Sequence, residues 1–61
     1  MSECRYYKLV KRVTNKTIYA NFEWFSEYFT PEKFEKQENN NTFKIVWITK
    51  KEFDKLRKIG Y

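Results

Sequence analysis

The sequence predicts an α+β fold in a single domain over 1–61: a small three-stranded antiparallel sheet, made of an N-terminal β-hairpin plus a third strand, packed by a C-terminal helix. Three observations carry this. Two runs rich in Tyr, Val, Ile, Phe and Trp, 5–13 and 17–26, flank a turn at Asn15-Lys16. A third run, 42–49, alternates in the manner of a strand. Thr49-Lys50-Lys51-Glu52 then has the form of a capping box, followed by an apolar stripe and Gly60.

The hairpin comes first in the chain. Asn tolerates the left-handed conformation that a tight turn needs. With Asn15-Lys16 as a two-residue loop, Val13 faces Ile18, Lys11 faces Ala20, Leu9 faces Phe22 and Tyr7 faces Trp24. The opposite side pairs Arg12 with Tyr19, Val10 with Asn21, Lys8 with Glu23 and Tyr6 with Phe25. The first side is almost wholly apolar, and a one-residue slip would mix the two sides.

Thr30-Pro31-Glu32 has the residues of a helix start, with Thr as N-cap and Pro at the first helical position. A short middle helix over 31–38 follows, anchored by Phe34 alone and closed by Asn39-Asn40-Asn41. In the third strand Phe43, Ile45 and Trp47 share one face and Lys44, Val46 and Ile48 the other. The C-terminal helix over 50–59 carries Phe53, Leu56 and Ile59 on one stripe, and its late residues Lys55, Arg57 and Lys58 suit the negative end of the helix dipole. That stripe is expected to cover the side bearing Tyr7, Leu9, Phe22, Trp24, Ile45 and Trp47.

The 61-residue chain is near the lower limit for folding without disulfides or metal, and an aromatic content of 21% supplies compact apolar bulk. Cys4 is its one cysteine, and it has no histidine. An internal disulfide is thus impossible, and no metal and no cofactor is expected. Lone-cysteine usage, the absence of a signal-peptide pattern and the absence of a long apolar run predict a cytoplasmic protein with no membrane partner. Abundant Lys, Asn, Phe, Tyr and Ile with scarce Gly, Ala and Pro suit an AT-rich genome such as that of a phage, in which case the location is the host cytoplasm.

Catalysis is not expected. No His is present to shuttle protons near neutral pH, Ser2 and Ser26 lack an activating base, and no Gly-rich phosphate loop occurs. The carboxylates Glu23, Glu27, Glu32, Glu35, Glu52 and Asp54 read as solvated or capping charges, and Cys4 as a small apolar residue at a strand start.

What remains is binding. The net charge is +5, with cations gathered at both ends of the chain and a slightly acidic middle. The leading expectation is a basic protein that binds RNA or DNA. Tyr6 and Tyr19 would offer stacking faces among Lys8, Arg12 and Lys44 on the sheet, as single strands require. Lys51, Lys55 and Lys58, spaced i, i+4, i+7, would form a basic row on the last helix for a phosphate backbone. The alternative is a small regulator or inhibitor that docks on a host protein with an acidic surface through Phe25, Tyr28 and Phe29 and the same basic row.

Overall fold

The computed structural model describes residues 2–61. The elements run β1 (Glu3–Lys11), β2 (Lys16–Phe25), α1 (Pro31–Glu38), β3 (Phe43–Ile48) and α2 (Lys50–Lys58). The α+β fold is as expected: one antiparallel three-stranded sheet in the order β2-β1-β3, with two helices. Because β1 lies between β2 and β3, the chain must cross a sheet face to pass from one edge to the other. Helix α1 makes that crossing, and α2 then packs on the opposite face.

Both helix starts are built as the residues dictate. The Thr30 hydroxyl accepts from the Lys33 amide and Pro31 opens α1; the Thr49 hydroxyl accepts from the Glu52 amide at 3.1 Å. Gly60, at φ 110°, ends α2. The Gly60 amide donates to the Arg57 carbonyl and the Tyr61 amide to the Leu56 carbonyl, the paired bonds of a Schellman motif.

The hairpin departs from the expected pairing in two ways. The loop has four residues, Arg12–Asn15, not two. A two-residue type I′ turn needs positive φ at both central positions. Here Asn15 alone takes it (φ 57°), and the loop closes through the Asn15 amide to the Lys11 carbonyl at 2.7 Å. Lengthening the loop displaces the pairing but keeps each residue on its face. The second departure does not. The register shifts between Leu9 and Val10, which pair with Tyr19 and Thr17 and leave Ile18 as the extra residue of a bulge. Beyond the bulge β2 is turned over relative to β1. Tyr7 faces Asn21, Leu9 faces Tyr19, Tyr6 faces Phe22 and Cys4 faces Trp24. The expected Tyr7/Trp24 and Leu9/Phe22 pairs do not form.

Tyr7, Leu9, Ile45 and Trp47 keep the expected core face, but β2 adds Phe25 and Tyr19 to it in place of Phe22 and Trp24. Tyr7, Phe25, Phe34 and Ile45 form the buried cluster, with Leu9, Phe29 and Trp47 packed on it. It is covered by α1, not by α2. Phe34 lies 5.1 Å from the Tyr7 ring and 5.6 Å from Phe25, mostly edge-to-face as the ring quadrupoles prefer, and the Trp47 indole donates to Glu35 of α1. Helix α2 sits on the other face, where Phe53 meets Tyr6 at 4.9 Å and Phe22 at 6.1 Å. No helix among the described residues is long and apolar enough to cross a membrane.

Candidate nucleic-acid interface

The face under α2 carries Cys4, Tyr6, Lys8 and Val10 from β1, Ala20, Phe22 and Trp24 from β2, and Lys44, Val46 and Ile48 from β3. Helix α2 runs from the end of β3 towards the outer edge of β2, where Arg57 Nη1 donates to the Ala20 carbonyl at 3.2 Å and the Tyr61 carbonyl accepts from the Ala20 amide. With Phe53, Leu56 and Arg57 turned towards the sheet, Lys51, Lys55 and Lys58 fall on the outer side of the helix and are exposed. The expected basic row is therefore present. Lys55 also shares a groove of about 360 Å³ with Lys8, Glu52, Leu56 and Ile59, so the helix and the sheet contribute cations to one site. Lys44 lies diagonally across from Lys8, on the neighbouring strand and the same face. Arg12 stands at the hairpin end, where its Nε donates to the Asn40 carbonyl at 2.8 Å.

Charge is segregated by this arrangement. Lys8, Lys11, Arg12, Lys16, Lys44, Lys50, Lys51, Lys55, Arg57 and Lys58 lie on the α2 side or at the hairpin end. Only Glu52 and Asp54 accompany them; the seven cations of the α2 side leave it at net +5, and Lys11, Arg12 and Lys16 at the hairpin end add +3, with Lys11 and Lys16 paired on the face of Leu9 and Ile45. The α1 side holds Glu3, Glu23, Glu27, Glu32, Glu35 and Glu38 against Arg5, Lys33 and Lys36, a net −3. Two cations are paired locally, Arg5 with Glu3 and Lys50 with Asp54.

The aromatic residues expected at the surface are redistributed. Tyr6 does lie on the face of Lys8 and Lys44, but the Phe53 ring covers it. Desolvation, then the adjacent Cys4, raise its hydroxyl above the ordinary tyrosine value. Tyr6 is half-buried, with Phe53 on one side of its ring and Phe22 at 6.4 Å. Tyr19 is on the α1 side, against Tyr7 at 6.5 Å, and so is separated from Lys8 and Lys44 by the sheet. Phe25 is 3% exposed in the core, because the bulge turns it inward beneath Phe29 and Phe34. Phe29 is half-buried against Phe25 and Phe34. Of the trio expected to meet a protein partner, only Tyr28 is free, so no three-ring patch is assembled.

Two residues read from the sequence as core are instead at the surface. Trp24 is 58% and Phe22 45% exposed, both on the α2 side along the outer edge of β2. Arg57 lies over Phe53 at 5.6 Å, and that ring meets Phe22 at 6.1 Å. Cys4, across from Trp24, is half-buried and unpaired. No cluster of three or more potential metal ligands occurs among the described residues. No protein-family model matches the chain, and comparison with curated proteins and with solved structures finds no significant match.

Proposed function

We propose that the protein acts by binding nucleic acid on its α2 side, with Lys51, Lys55 and Lys58 of the helix and Lys8 and Lys44 of the sheet contacting the phosphate backbone. The observation that carries this reading is the separation of charge, with net +5 on the α2 side, a further +3 at the hairpin end and net −3 on the α1 side. A surface of one sign attracts a polyanion from a distance and orients it, which a scattered +5 would not do. The rival reading, docking on a host protein through Phe25, Tyr28 and Phe29, has less support, since Phe25 is in the core.

Binding that rests on phosphate neutralisation releases condensed counterions, so affinity must fall steeply with salt. The test is a titration with a fluorescent oligonucleotide at several salt concentrations. Replacing Lys51, Lys55 and Lys58 with Ala should reduce the log–log slope by about 2 to 3, since each phosphate that a cation neutralises adds roughly 0.7–0.9 to it. Absence of binding to DNA and RNA even at low salt would overturn the reading.

A further inference from the structure

We infer that the ligand of this basic surface is single-stranded, and that Trp24 and Phe22 at the outer edge of β2 are the platform on which its bases stack. This rests on the basic-surface reading and adds the class of nucleic acid. The two rings are the large exposed aromatics of the α2 face, and they share it with the cations. An exposed indole and phenyl ring side by side are costly to leave in water, and the Ile18 bulge is the local feature that puts them there. Arg57, over the Phe53 ring that Phe22 meets at 6.1 Å, places positive charge close to the platform, as a backbone linking stacked bases requires.

The same geometry disfavours a duplex. Bases of a duplex are stacked on one another and offer no face to a ring standing at a sheet edge. Helix α2 has nine residues, and its exposed side is interrupted by Asp54, which holds Lys50 at 3.1 Å. A major-groove helix reads bases through its own side chains, whereas the apolar, base-compatible groups here are on the strand. Three amides along the outer edge of β2 already have partners. Its Phe22 and Trp24 amides donate to the Asn21 and Glu23 side chains at 2.8 and 3.0 Å, and its Ala20 amide donates to the Tyr61 carbonyl.

The test uses intrinsic tryptophan emission of the whole chain, titrated with oligo-dT, oligo-U and a DNA duplex of equal length at low salt. Single strands should quench the exposed Trp24, and the dT and U arms separate DNA from RNA. Trp24→Ala should weaken single-strand binding about 5- to 150-fold, the range for removal of one stacked base, and leave the salt slope and duplex affinity unchanged. As Trp24 is more exposed than not, this variant is expected to fold; circular dichroism checks it. Equal affinity for duplex and single strand without quenching, or a folded Trp24→Ala of wild-type affinity, would overturn the stacking platform while leaving the basic surface standing. Failure of every probe to bind would remove both.

Discussion

Among single residues, Tyr7 shows how the core shapes a titration. Its ring is buried among Phe34, Trp47 and Tyr19. Desolvation, then the neighbouring Tyr19, Glu38 and Glu23, push its hydroxyl up to about 12 from an ordinary 10. The folded state thus holds this proton more tightly than the unfolded chain does. Its contribution to stability is complete below pH 10 and is lost as pH rises from 10 towards 12. Tyr6 and Lys50, also raised, act in the same direction. Thermal melts across this range should show a falling Tm, and Tyr7→Phe should make the fall shallower. An identical fall in the two proteins would show that Tyr7 carries none of it. Residue types alone indicate that Tyr7 is core. They do not indicate the same for Phe25, nor the exposure of Trp24, since both depend on a bulge at Ile18 that no residue-level pattern announces.

Among the elements, local chemistry is readable from the sequence and long-range pairing is not. The caps at Thr30 and Thr49 and the stop at Gly60 follow from short-range hydrogen bonding, and all three form. The alternation of β3 is legible for the same reason, because side-chain direction along one strand is fixed by the pleat. Which β2 side chains join which face depends on the register of β2, and one extra residue there reverses it. Helix α1, anchored by Phe34, covers the aromatic cluster, while α2 lies on the face of the buried Val10 and Ala20 and contributes no fully buried side chain of its own. Phe34→Ala should therefore cost about 3–5 kcal/mol, enough to unfold most of a domain this small. Leu56→Ala, at a half-buried site, should cost clearly less. Urea denaturation of the two variants measures this; a larger loss for Leu56 would mean that the principal core lies under α2.

Taken as one body, the fold converts a sequence with two basic ends and an acidic middle into a molecule with two electrically distinct sides. The basic ends are visible in the chain, and so is the i, i+4, i+7 row of Lys51, Lys55 and Lys58. Their meeting with Lys8 in one groove requires the crossing of α2 over the sheet. Under the proposed function, this side, and not net charge as such, binds the polyanion. Two double variants with the same loss of charge separate these possibilities: Lys55→Ala with Lys58→Ala on the α2 side, and Lys33→Ala with Lys36→Ala on the α1 side. Affinity for a single-stranded oligonucleotide at fixed salt, measured on variants shown to be folded, should fall markedly for the first pair and stay close to wild type for the second. Equal losses in the two pairs would refute a preferred face, since binding would then follow total charge alone.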